Sequence, residues 1–175
     1  MSSPQDTTLV ELAREHLPLI LAWRNRPDIA RCFFSGAVNP EQHAQWFNNY
    51  ERDSSDHTFI IEWRGRPVGM AAVYHIDPAQ RRAEFGRLVI GDQEARGCGV
   101  ARAACAQLAA RAFAEFEVDT LFLEVFADNA PAIRLYEALG FMRTGTDERP
   151  RAGGAPEEIA IMELHKSHFH EAGGA

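Results

Sequence analysis

Arg96, Gly97, Cys98, Gly99 and Val100 stand between a segment that reads as a strand, Ala83 to Ile90, and an alanine-rich stretch that reads as a helix, from about Gly99 to Phe116. Alanine is the best intrinsic helix former. The first amides of a helix lack intrahelical partners, and the helix dipole turns positive charge outward at that end. Two glycines let the backbone turn tightly there, so the chemistry such a terminus supports is anion binding, with a phosphate as the natural guest. No Lys-Ser/Thr pair follows the glycines, which excludes a P-loop. A dinucleotide turn fits poorly, because the glycines lie several residues past the strand and no acidic residue ends a second strand about twenty residues on. What remains is a phosphate cradle on a longer loop, or a plain helix start. Cys98 sits between the glycines where a thiolate is favoured, so it is expected to be the most reactive of Cys32, Cys98 and Cys105.

The elements that must hold this turn follow from periodicity. Thr7 to Leu12 reads as a short strand. Arg14 to Asn25 reads as a helix with Leu17, Ile20 and Leu21 at helical spacing. Pro27 ends it and Asp28 caps a short second helix. Pro40 to Asp53, entered from Asn39 as cap, is amphipathic, with Ala44, Trp46, Phe47 and Tyr50. His57 to Trp63 and Pro67 to His75 are strands joined at Arg64-Gly65-Arg66, and Asp77-Pro78-Ala79-Gln80 turns the chain into the central strand. Thr120 to Phe126 is near-continuously apolar, as for a strand buried on both faces. Ala130 to Leu139 is a helix under an Asn129 cap, stopped at Gly140. Met142 to Thr146 and Glu158 to Leu164 form a hairpin across a long loop, Arg149 to Pro156.

With 175 residues the chain is most simply one domain, 1–175, with its core at about 7–164 and a frayed tail over 165–175. A hydrophobic fraction of 46% and a charged fraction of 25% are ordinary for a globular protein. No apolar run approaches the roughly 20 residues that span a bilayer, and MSSPQDTTL has no signal-peptide core, so a cytoplasmic protein without membrane association is expected. Three cysteines without metal-like spacing fit reduced thiols. A net charge of −7 argues against nonspecific nucleic-acid binding. His165, His168 and His170 lack the spacing of a metal set, and no metal is expected.

Two blocks carry a family resemblance. IGDQEARGCGVARAA resembles the acyl-CoA pyrophosphate loop of the GNAT N-acetyltransferase superfamily, whose pattern is Arg/Gln-x-x-Gly-x-Gly/Ala at the head of a long helix. The first position of that pattern falls on Glu94, with Gln93 one residue early. Downstream, LFLEVFADNAPAIRLYEALGF is similar to the family's strand, Asn, helix, Leu-Tyr-Glu and Gly-Phe order. The resemblance covers roughly Thr7 to Leu164. It implies an α/β fold with a mixed, mostly antiparallel central sheet, a splayed strand pair and flanking helices. It also implies an acetyl-CoA-dependent N-acetyltransferase that lets a primary amine attack the thioester directly.

By the same resemblance, backbone at Leu88, Val89 and Ile90 would hold the pantetheine arm, and Arg96, Gly97, Cys98, Gly99, Val100 and Ala101 the pyrophosphate. Asn129 would be a cofactor-side residue or a plain cap. Bound CoA is then expected to shield Cys98. Tyr136 falls in the Leu-Tyr-Glu position and would be the general acid that protonates the thiolate, or an ordinary core tyrosine on a face with Ala132, Leu135 and Leu139. Glu84 would be the base, or a structural carboxylate pairing with Arg81 or Arg82. His75 is a rival base, and ordered water alone is a third route.

The run WRNRPDI, with Glu41-Gln42-His43 and Trp46-Phe47, looks like the N-terminal region of amino-sugar N-acetyltransferases acting on nucleotide-linked sugars, and more loosely like the ribosomal-protein branch. Trp23, Arg24, Asn25, His43, Trp46 and His75 are therefore expected on the acceptor side. Arg24, Arg26 and Arg31 would face a nucleotide diphosphate, and Trp23, Phe33, Phe34 or Trp46 would stack on a base or sugar. The bland alternative is a solvated basic edge over an aromatic core. A polyamine would want a carboxylate cluster, for which Glu51, Asp53 and Asp56 look like poor surface material. A protein or peptide N-terminus and a non-catalytic CoA-binding module remain as rivals, and a monomer or homodimer is expected.

Overall fold

The computed structural model describes residues 6–169. A seven-stranded sheet runs in the order β1-β2-β3-β4-β5-β7-β6. Its strands are β1 (Thr7–Glu11), β2 (His57–Trp63), β3 (Arg66–Asp77), β4 (Arg82–Ile90), β5 (Thr120–Phe126), β6 (Met142–Pro150) and β7 (Pro156–His165). The helices are α1 (Leu17–Arg24), α2 (Pro27–Ala30), α3 (Pro40–Tyr50), α4 (Val100–Glu115) and α5 (Ala130–Ala138). Every strand pair is antiparallel except β4–β5. That parallel pair ends after three residue pairs, Arg82–Thr120, Ala83–Leu121 and Glu84–Phe122, and beyond it the two strands part. The splayed pair expected from the resemblance is therefore present.

Alternation along the strands sends residues into two cores. Phe59, Ile61, Ala71, Val73 and Phe85 pack with Val100, Ala104, Cys105, Leu108 and Ala112 of α4 and Tyr136 of α5. Ile60, Met70 and Val89 face the other way, onto Leu12, Ile20, Trp23, Ile29 and Phe47. Helices thus cover both faces, and each fully buried aliphatic or aromatic side chain stabilises by about 1.5–3 kcal/mol relative to exposure. Asn39 caps α3 reciprocally with Gln42: its Oδ1 accepts from the Gln42 amide at 2.8 Å while Gln42 Oε1 accepts from the Asn39 amide at 3.0 Å. Gly140, at φ +98°, stops α5 where its left-handed conformation was expected.

One irregularity in β4 bears on the site. Met70 pairs with Val89 and Ala72 with Gly86, so Ala71 alone faces both Arg87 and Leu88. This is a β-bulge, and Arg87 takes the left-handed conformation at φ +52°.

Several boundaries differ from the sequence reading. The first helix opens with a 3-10 turn, Arg14–His16, because Pro18 limits regular helix to its second turn onward. The β6–β7 hairpin is longer than expected, and its tip is tied down: the Ala152 amide donates to the Phe34 carbonyl at 2.9 Å. Nor is the start of the tail frayed. Lys166–His168 forms a 3-10 turn, Lys166 Nζ donates to the Phe113 carbonyl at 3.2 Å, and Phe169 lies against Phe113. His170 and the residues after it lie outside the described range.

Candidate active site

Three cavities adjoin one another along β4, and the middle one reaches β5 where the strand pair parts. The first is a groove of about 550 Å³ whose walls include Leu88, Val89 and Ile90, the loop and helix start at Arg96, Gly97, Gly99, Val100, Ala101 and Arg102, and Asn129, Pro131, Ala132 and Leu135. Gly97 and Gly99 stand at φ +75° and +78°, which a residue with a side chain rarely adopts. No side chain caps α4, so the amides of Val100, Ala101 and Arg102 have no partner within the helix. A Cβ at Gly97 would meet nothing within 4 Å, and the cradle is open. These features fit a diphosphate at the helix start and an amide-rich arm along the strand edge that β5 leaves.

The loop is held from α2. Arg96 Nε donates to the Ile90 carbonyl at 2.9 Å and its Nη1 to Asp28 at 2.8 Å. Arg26 Nη2 also donates to Asp28, at 2.9 Å, and its Nη1 to the Gly91 carbonyl at 2.5 Å. The hydrogen bond from Arg96, helped by Arg26, holds the Asp28 carboxyl below its ordinary range. Arg96 therefore shapes the loop through this clamp. Cys98 does not line the groove: its thiol turns to the Glu94 carbonyl at 3.4 Å. The cysteine that lines both the groove and the next cavity is Cys32, which the sequence reading passed over.

The second cavity, about 140 Å³, shares Leu88, Asn129 and Ala132 with the groove and adds Tyr74, Glu84, Gly86, Arg87, Glu124 and Tyr136. Tyr136 is 6% exposed and its ring meets Phe85 and Phe141 edge-on or tilted. Burial pushes its phenol up, so it carries its proton at neutral pH. It is at once a core residue and a cavity wall. Asn129 likewise does two things, lining both cavities and capping α5 at the Ala132 amide, 3.4 Å away.

Glu84 accepts from the Tyr74 hydroxyl at 2.7 Å and meets His75 Nδ1 at 2.8 Å. The expected alternative, an ion pair with Arg81 or Arg82, is not formed: those pair with Asp119 and Glu163. Burial and then the Glu84 charge push the Tyr74 phenol up. Gly86 makes room for this phenol, since a Cβ there would lie 3.1 Å from its oxygen. His75 is 69% exposed in its side chain and lines none of the three cavities, so it braces Glu84 from outside.

The third cavity, about 370 Å³, shares Phe33, Phe34, Tyr74 and Arg87 with the second and adds Ile20, Arg24, Ser35, Val38, Gln42, His43, Trp46 and Met70. Arg24 lies 3.6 Å over the Phe33 ring and donates to Ser35 Oγ at 3.0 Å, while its buried Nη1 has no partner among the described residues. Burial, and then the Arg87 charge, pull its guanidinium down to about 10, still protonated at neutral pH. His43 stacks on Trp46 at 5.4 Å. Its Nε2 lies 3.0 Å from the Leu17 carbonyl, which can only accept, so Nδ1 is left as an acceptor. Burial lowers its pKa and keeps the ring neutral.

The remaining acceptor-side expectations are corrected. Trp23 is buried against Gly91, where no Cβ would fit. Asn25 bonds the Val38 amide and carbonyl at 2.8 and 2.7 Å and braces the loop. Arg26 belongs to the Asp28 clamp, and Arg31 lies 3.8 Å from Asp128. Asp56 is no surface carboxylate: it is 9% exposed and both its oxygens lie 2.7 Å from Arg87 Nη1. Arg87 was missed altogether, because its bulge depends on how β3 and β4 align.

An open helix start with unpartnered amides, a parted strand pair, and a cavity walled by a phenol and a carboxylate fit an acyltransferase that takes its acyl group from a CoA thioester. The chain matches the acetyltransferase (GNAT) domain over residues 6–142 and belongs to that family. It is an N-acetyltransferase that uses acetyl-CoA. Acetyltransferase PseH of Campylobacter jejuni is 30% identical over 127 residues, 73% of this chain and 77% of that one. Spermidine N(1)-acetyltransferase of Escherichia coli is 27% identical over 146 residues, 83% and 77% of the two chains. The fold is that of the spermidine N-acetyltransferase from Vibrio cholerae crystallised with CoA and spermine, at a TM-score of 0.85 and 23% identity, covering 94% of this chain and 98% of that one.

Proposed function

We propose that the acceptor is a primary amine joined to an anionic group, as in a nucleotide-linked amino sugar, and that the reaction is its direct N-acetylation. The observation that carries this reading is the third cavity. Its walls hold Arg24 and Arg87, four aromatic or phenolic rings at Phe33, Phe34, Trp46 and Tyr74, and no carboxylate. Arg24 Nη1 is buried without a partner among the described residues, and a buried donor left unpaired costs about 1–3 kcal/mol that an anion would recover. Aromatic faces beside guanidinium forks suit a base and its phosphates.

Acetyl-CoA, held by the amides of Gly97 to Ala101 and the edge of β4, supplies the activated acetyl group. Tyr136, protonated and in the adjoining cavity, is the group placed to give its proton to the leaving thiolate. Glu84, fixed by Tyr74 and His75, is the group placed to take the proton of the incoming ammonium, directly or through water.

Similarity to spermidine acetyltransferases favours a second reading, a polyamine acceptor. A polyamine is multiply cationic, and a cavity with two guanidinium groups and no carboxylate opposes it. The test is thiol release with UDP-glucosamine and other UDP-linked amino sugars, spermidine and a peptide N-terminus, together with thermal shifts of the CoA-bound protein. The reading expects turnover and stabilisation with the nucleotide-linked amines. Faster turnover of spermidine would overturn it.

A further inference from the structure

Arg87 is the one charged side chain that lines both the acceptor cavity and the cavity of Tyr136. The chain fixes it firmly. The bulge turns residue 87 to φ +52°, and Nη1 meets both Asp56 oxygens at 2.7 Å and Thr58 Oγ1 at 2.9 Å. The guanidinium also lies 4.1 Å from the centre of the Tyr74 ring. All three bonds use Nη1, so Nε and Nη2 have no partner among the described residues. The ion pair with Asp56 balances the charge of the group and leaves the other edge of the fork for a guest.

Charge changes sign across this residue. On the acceptor side stands Arg24 and no carboxylate; on the other stand Glu84 and Glu124, the latter 2.7 Å from Arg149. We propose that Arg87 is the specificity-determining residue for the acceptor: it orders a dipolar amine with its anion toward Arg24 and its amine toward Glu84, and it rejects polycations. The inference rests on the anionic-acceptor reading above. A molecule cationic at both ends would have to seat an ammonium beside the Arg24 guanidinium, which no carboxylate compensates among the described residues, and beside Arg87, whose charge Asp56 only balances.

The experiment compares kcat/KM for UDP-glucosamine, or the best UDP-linked amine found, with that for spermidine in the wild type, Arg87→Lys, Arg87→Gln and the double variant Asp56→Asn/Arg87→Gln. The double variant removes the carboxylate that Arg87→Gln would leave buried and unpaired. Thermal melting verifies folding. Arg87→Lys should keep the wild-type preference, whereas the two neutral variants should lose at least tenfold in the ratio of the two kcat/KM values. That loss should come through the acceptor KM, with the acetyl-CoA KM within about twofold of wild type. A folded double variant that keeps the wild-type ratio would overturn the role of Arg87 while leaving the anionic acceptor intact. A wild type that itself prefers spermidine would instead sink the reading beneath it.

Discussion

Tyr136→Phe separates catalysis from packing more cleanly than any other single change. The substitution removes one oxygen and keeps the ring that meets Phe85 and Phe141 at centroid distances of 6.3 and 5.7 Å. The hydroxyl has no hydrogen-bond partner among the described residues, so its loss strands no buried donor or acceptor. Stability should therefore stay within about 1 kcal/mol of wild type, well below the roughly 3–5 kcal/mol that truncating a buried aromatic to alanine costs. If the phenol donates its proton to the thiolate, kcat should fall by about 10²- to 10⁴-fold, with the acetyl-CoA KM little changed. Thiol release measured beside thermal unfolding decides the matter. A folded variant with kcat within about twofold of wild type would refute the acid role and leave Tyr136 as core alone. The raised phenol pKa adds a pH check. Because the folded form holds this proton more tightly than the unfolded chain, the associated stability persists below about pH 10 and is lost only above it.

The other outcomes follow from particular contacts. Gly97→Ala must hold a side chain at φ +75°, at a cost of about 1 kcal/mol, and the added methyl stands at the cradle; calorimetry should show CoA binding weakened by about tenfold or more. His43 is buried neutral with a lowered pKa, so the unfolded chain binds its proton first on acidification. Stability from this group is thus complete above its ordinary value of about 6.5 and drains away below it, and His43→Gln should flatten that part of the curve of melting temperature against pH. CoA should protect Cys32 from alkylation, as read by peptide mass spectrometry, and leave Cys98 unprotected. The reverse pattern would mean that the cofactor lies elsewhere on the loop.

Features set by neighbours along the chain are legible in the residues themselves. The Asn39 and Asn129 caps, the stop at Gly140 and the glycine turn before the alanine-rich helix are short-range matters of dihedral preference and unpaired amides, and each stands where it was expected. Trp23, Arg24 and Asn25 show where that reach ends. Consecutive helical residues point about 100° apart, so the run looks like one recognition patch yet sends its first side chain into the core, its second into the acceptor cavity and its third to the Val38 loop.

The residue types, their helical and strand periods and the two motif blocks were enough to specify the fold class and the cofactor. The sheet register was needed for the rest. Ala71 opposes two residues of β4 only because of how β3 lies beside it, and that one-residue mismatch aims Arg87 at Asp56, thirty-one positions away in sequence. Glu84 finds Tyr74 and His75 across a strand pair where charge alone suggested its neighbours Arg81 and Arg82. Arg82 lies two residues from Glu84 on the same face of β4 but pairs with Glu163 of β7, so the strands that lie nearby in the sheet, and not distance along the chain, choose the partners.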